Sequence, residues 1–203
     1  MSMLFSNVDS LADFFRSTSQ TAQDYSMGHL SSVELKEILQ QVDLSPSLLH
    51  SLQCVDLSKP YGRKVIYQDD FIEFMVATWT PQQICAPHDH GGAWSAIAII
   101  QGQAQHHLYT IKNDNLVLCH TEYIDQNSCI ICHPNQIHAM GDSGNNPSSL
   151  ITLHAYSNSI PFMMVYDDKN QQTIQVDGSC GAWIPDNKTQ VIETFKGFVH
   201  HPY

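Results

Sequence analysis

Between Arg63 and Val176 the chain is cut into short apolar or alternating runs with turn residues between them. That rhythm limits the fold more than any other feature. The runs are RKVIYQ, FIEFMVATW, WSAIAIIQG, AQHHLYTI, LVLCHTEYI, SCIICH, SLITLHAYS, PFMMVYD and TIQV. Each has strand length and strand composition, and many strands at such spacing pack as a sandwich or a barrel. KNDN at 112–115 and DDKNQQ at 167–172 read as hairpin connections, and MGDSGNNPSS at 140–149 reads as a loop.

The first 55 residues have a different period. LADFF carries apolar residues at helical spacing. SSVELKEILQQV opens with two serines, offers Glu34 for a capping box, and repeats Val33, Leu35, Ile38, Leu39 and Val42. The expectation is one domain over 1–203, with a helical segment at 1–55, a β-barrel core at 58–180 and a C-terminal extension at 181–203, where FKGFVHHPY gives no clear signal.

Charge narrows the function classes. Nine Lys and Arg face twenty Asp and Glu, a formal charge of -11, which disfavours nucleic acid and anionic membranes as partners. No positive charge precedes Arg16 and no apolar run approaches bilayer length, so a cytoplasmic chain is expected. The six cysteines are scattered and read as free thiols. A small molecule is the expected partner.

APHDHGGAWSAI, residues 86–97, holds two histidines one residue apart. On an extended chain side chains alternate, so His88 and His90 face one way and Asp89 the other, and both imidazoles can reach one metal ion. Pro87 and Gly91-Gly92 constrain the backbone around the pair, and HPNQIHAM offers Pro134 followed by His138 at the end of another strand.

These two units resemble the paired motifs of the cupin superfamily, a small double-stranded β-helix barrel with its metal inside. The resemblance implies His88, His90 and His138 as ligands. Many cupins add a glutamate after the first pair, but no carboxylate lies between Gly91 and Gln101 here. Three neutral histidines leave the ion its full charge and open positions, which suits a substrate bringing an anionic donor.

YGRKVIYQ, ATW, HDHGGAWSAIAIIQG, IH and TLHAYS, in that order from 61 to 157, resemble the landmarks of the cysteine dioxygenase family of thiol dioxygenases, in its bacterial form. The likeness covers roughly residues 58–166. It implies one ferrous iron per chain on the three histidines, with Arg63 binding the substrate carboxylate and Tyr61 lining the pocket beside it. It also implies a relay of Thr152, His154 and Tyr156, which alternate with Leu153 and Ala155 and so share a face. Some members join a cysteine to the relay tyrosine. That position is Ser95 here, so no Cys–Tyr crosslink is expected.

The implied reaction converts L-cysteine and O2 to cysteine sulfinate, in a monomer or small homo-oligomer. A 3-mercaptopropionate dioxygenase and a metal-holding cupin without turnover are the alternatives. CIICH at 129–133 fits a haem-attachment pattern but lies in a strand-like run, so core packing without haem is expected. Cys85 reads as a buried thiol. His106-His107, His120 and His200-His201 read as surface or hairpin residues, and His133 stays open because it lies near His138 in sequence.

Overall fold

A computed structural model describes residues 2–25 and 30–200. The chain begins with strand β1 (Met3–Phe5), helix α1 (Val8–Tyr25), helix α2 (Ser32–Gln40), strand β2 (Val42–Leu44) and helix α3 (Pro46–Leu52). Ser31 caps α2 with the anticipated box: the Glu34 amide donates to Ser31 Oγ, and the Ser31 amide donates to the Glu34 carboxylate. Val33, expected on the inner face, is instead exposed in the first turn, whereas Leu35, Ile38 and Leu39 are buried. The parallel pair β1 and β2 was not foreseen.

Eleven strands follow: β3 (Tyr61–Gln68), β4 (Glu73–Trp79), β5 (Ser95–Gln101), β6 (Gln103–Lys112), β7 (Asn115–Asp125), β8 (Cys129–Cys132), β9 (Ile137–Asp142), β10 (Ile151–Tyr156), β11 (Phe162–Asp167), β12 (Gln172–Asp177) and β13 (Val191–Lys196). Both expected hairpins form. Asn113 and Asp114 sit at φ 50° and 59°, which joins β6 to β7 through the two-residue turn that matches strand twist.

One sheet has the order β3-β4-β10-β5-β8. The facing layer is built from β7-β6-β9 and β11-β12-β13. The stretch from Ile84 to His88 stitches these together: Ile84 bridges Gly141, and His88 bridges both His138 and Val165. The result is a mainly β, double-stranded β-helix barrel with a helical N-terminal cover.

The central strands of the first sheet are buried on both sides, and alternation sorts their residues. Phe74, Val76, Ala96, Ala98, Leu153 and Ala155 pack under the helices against Leu11, Phe15, Leu35 and Leu39. Phe15 stacks on Phe74 with ring centroids 3.8 Å apart. Each fully buried leucine, valine or phenylalanine among them contributes about 2 kcal/mol through burial. The alternate residues of the same strands, among them Met75, Ser95, Thr152, His154 and Tyr156, are left facing the barrel interior.

Two expectations change. Met140, Gly141 and Asp142 belong to β9 and not to a loop, so His138 stands second in a strand and not at a strand's end. Gly141 is glycine because the chain at 83–84 crosses it so closely that a Cβ would lie 2.1 Å from the Gln83 carbonyl oxygen. That crossing brings the His88 segment against β9. Among the described residues no helix is long and apolar enough to cross a membrane.

Candidate metal centre and adjoining pocket

His88, His90 and His138 converge inside the barrel, each buried, with one ring nitrogen apiece lying within 4.8 Å of the others. His88 is a single bridging residue and His90 lies in irregular backbone just after it, so the pair is not in a regular strand as the spacing had suggested. Alternation still holds locally. Asp89 turns away and its Oδ1 accepts from the amides of Gly91 and Met164. Gly91 then turns the chain at φ +58°, and a Cβ there would lie 2.0 Å from the Phe162 carbonyl oxygen.

The geometry assigns the ring hydrogen of His88. His88 Nδ1 lies 2.9 Å from the Ala86 carbonyl oxygen, which can only accept, so the proton is on Nδ1 and Nε2 is free. His90 Nδ1 is 2.9 Å from Ser95 Oγ. His90 Nε2 and His138 Nε2 face each other at 3.0 Å. Two nitrogens about 2.1 Å from one ion at a right angle stand about that far apart. Burial holds all three rings neutral: His88 is pushed down to about 4, and His90 and His138 well below the usual value, with neighbouring histidines adding to the effect. Neutral imidazoles with converging lone pairs fit a divalent cation.

Beside the histidines lies a narrow pocket walled by Tyr61, Arg63, Glu73, Met75, Tyr156 and Gly178, among others. Arg63 is the only lysine or arginine among the described residues lining it. Its Nη1 donates to the Gly178 carbonyl at 3.0 Å, which steadies the guanidinium and leaves other N–H groups for a ligand. Tyr61 accepts from the Ala182 amide at 2.9 Å and packs against Trp79 and Trp183. Lys64 points elsewhere, with Nζ on the Ser51 carbonyl.

The structure joins Thr152, His154 and Tyr156 in one chain. Thr152 Oγ1 is 2.7 Å from His154 Nε2, and His154 Nδ1 is 3.1 Å from the Tyr156 hydroxyl. Trp79 Nε1, a donor only, extends the chain by donating to Thr152 Oγ1 at 2.9 Å. With the Thr152 hydrogen on His154 Nε2, His154 donates from Nδ1 to the tyrosine oxygen, and the Tyr156 hydrogen is left for the pocket. Burial drives His154 down to about 3 and the Tyr156 phenol well above its ordinary value, so the ring stays neutral and the phenol keeps its proton. The Tyr156 and His90 rings lie 5.2 Å apart, edge to face.

Three residues of this region escaped the sequence reading. Trp79 stands in the sequence pattern only as the last residue of ATW. Glu73 stands inside an apolar run, and its carboxyl is raised by burial although Arg63 and the Ile160 backbone pull it down. His106, expected at the surface, is 2% exposed, with Nε2 2.8 Å from His138 Nδ1. His107, His120, His133 and His200 stay outside the site. His107, on β6, is within 3.0 Å of Thr121 Oγ1, while His120 and His200 are exposed. His133 is exposed against Trp94, and His201 lies outside the described residues. Cys85 is buried, its thiol pushed up to about 12 by burial, and Cys132 packs inside the barrel.

The chain matches no protein-family model. Among solved structures it is similar to an uncharacterized conserved protein with a double-stranded beta-helix domain from Klebsiella pneumoniae, at TM-score 0.48 and 18% identity over 58% of this chain and 87% of that one. It is similar to an oxalate oxidase at TM-score 0.44 and 13% identity, over 59% of this chain and 62% of that one. KdgF from Halomonas sp. gives 0.41 and 13%, over 52% and 84%. At such identities the likeness concerns strand arrangement alone.

Proposed function

We propose that the chain is a mononuclear iron thiol dioxygenase that converts L-cysteine and O2 to cysteine sulfinate. The observation that carries this reading is the placement of a fixed guanidinium and a hydrogen-bonded phenol beside three converging neutral histidines. A protein that merely holds a metal has no need of Arg63 or of the chain from Trp79 to Tyr156.

Bound at the three imidazoles, ferrous iron supplies the redox chemistry between O2 and the substrate sulfur. The protein's residues do the positioning. Arg63 offers a paired, planar set of donors to the carboxylate, which fixes one end of a small thiol acid while its sulfur faces the histidines. Tyr156 offers its hydrogen to an oxygen atom in the pocket, held in direction by His154 and Thr152. Met75, Ile160 and Met163 supply the apolar part of the wall, and enclosure within the barrel strengthens the polar contacts beside them.

Glu73 favours cysteine over 3-mercaptopropionate. A substrate with both carboxylate and amine brings an opposite partner for each of Arg63 and Glu73, whereas a thiol acid without the amine brings its carboxylate to a pocket that already holds one. Arg63→Ala is the test. With iron content unchanged, KM for L-cysteine should rise about a hundredfold, the loss of charge-assisted hydrogen bonds, while turnover of cysteamine, which has no carboxylate, should change little. Unchanged KM for L-cysteine in the variant would remove Arg63 from substrate binding.

A further inference from the structure

The geometry points to Glu122 and His106 as a positioning relay that locks His138 into the tautomer able to bind metal, so that the ion's affinity is set partly from the barrel's outer edge. The inference rests on the reading of His138 as a ligand through Nε2. His106 Nδ1 is 2.9 Å from Glu122 Oε1, and His106 Nε2 is 2.8 Å from His138 Nδ1. His106 is buried, whereas the Glu122 side chain is 41% exposed.

The direction of the relay follows from its outer end. A carboxylate can only accept, so His106 carries its hydrogen on Nδ1. A neutral imidazole then has a lone pair on Nε2, and the hydrogen between the two rings must come from His138 Nδ1. That leaves His138 Nε2 as a lone pair aimed at His90 Nε2, 3.0 Å away. With Ser95 Oγ accepting from His90 Nδ1, His90 Nε2 presents a second lone pair at that distance, and a cation between the two relieves their repulsion, so the relay raises the affinity of the site for an ion. It also makes His138 a better donor, because a ligand whose second nitrogen donates toward a carboxylate is more basic.

The same atoms admit a competing arrangement, since His106 Nε2, Cys132 Sγ and His138 Nδ1 also lie within 4.8 Å of one another. The 2.8 Å contact is a hydrogen-bond length and is satisfied without an ion. A second metal there would require His138 to lose both ring hydrogens.

Cobalt(II) affinity, measured by competition with a chelator at fixed pH on the full chain, tests the relay without turnover. His106→Leu should weaken binding about 10- to 100-fold, because His138 then has no acceptor at Nδ1 and its hydrogen is free to occupy Nε2. His106→Gln, whose side-chain oxygen can accept in place of Nε2, should recover most of the loss. Glu122→Ala, at a part-exposed position, should weaken binding by about threefold to tenfold. Wild-type affinity in a folded His106→Leu protein would overturn the inference. If that variant does not fold, wild-type affinity in Glu122→Ala would overturn it instead. Two ions per chain would replace the relay with a second site. Undiminished binding in His138→Ala would mark a different failure, that of the ligand assignment itself.

Discussion

His138→Ala should bind ferrous iron on the order of a thousandfold more weakly than the parent chain, the cost of one of three inner donors. The loss is large because two imidazoles remain where three converged: the stretch from Gly91 to Gln101 carries no carboxylate, and His106 and Cys132 approach His138 at Nδ1, on the side of the ring away from His90. The variant should still fold, since β9 keeps its pairing with β6, although His106 Nε2 loses its partner at a cost of about 1 to 3 kcal/mol. Metal retained after equilibration against a graded chelator series measures the effect. His107→Ala should behave as the parent chain does. Retention of iron by His138→Ala at parental affinity would mean that the three rings do not form the site.

The metal-free protein should lose stability steeply as pH falls below about 6.5. His88, His90, His138 and His154 are buried and held neutral in the folded state, whereas in the unfolded chain each takes up a proton near 6.5. Between 6.5 and the folded values, which are about 4 for His88 and about 3 for His154, the unfolded chain binds more protons, so stability falls as pH falls. Each group contributes about 1.4 kcal/mol per pH unit within that window. Glu73 works in the opposite direction, because its raised value favours the folded state as protons bind, but it is one group against four. Lowering the pH from 7.5 to 5.5 should therefore depress Tm by about 10 to 20 °C. Scanning calorimetry of the metal-free chain at both values checks this, and a fall of only one or two degrees would show that the rings are not buried as neutral groups.

Much of the site was legible because alternation in an extended chain is a strict rule. Two residues apart means one face, and that alone aligned His88 with His90, Tyr61 with Arg63, and Thr152 with His154 and Tyr156. The capping box at Ser31 and the turn at Asn113-Asp114 were legible for the same kind of reason, since each depends on three or four consecutive residues.

What escaped depends on contacts between distant segments. Counted back from the turn, His106 would face Thr121. A bulge between Leu108 and Tyr109 shifts the register by one residue, so that His106 pairs with Glu122 instead. No local signal marks that bulge. The inward run of Ala104 and His106 on β6 was the available hint, because a small apolar residue two positions before a histidine places both on the core side. Gly141 and Asp142 resemble a loop in composition, and only the crossing chain at Gln83 explains glycine inside a strand. β13 was missed because most of its residues are exposed and no apolar alternation betrays it.

Oxygen consumption by the iron-loaded protein given L-cysteine, with the product identified by mass, separates a thiol dioxygenase from a barrel that only holds metal. One O2 should be consumed per cysteine, giving a product heavier by two oxygen atoms, with weaker turnover of 3-mercaptopropionate and cysteamine. No oxygen uptake with any of the three thiols, in protein shown to hold one iron per chain, would contradict it and leave a barrel that binds metal without this chemistry.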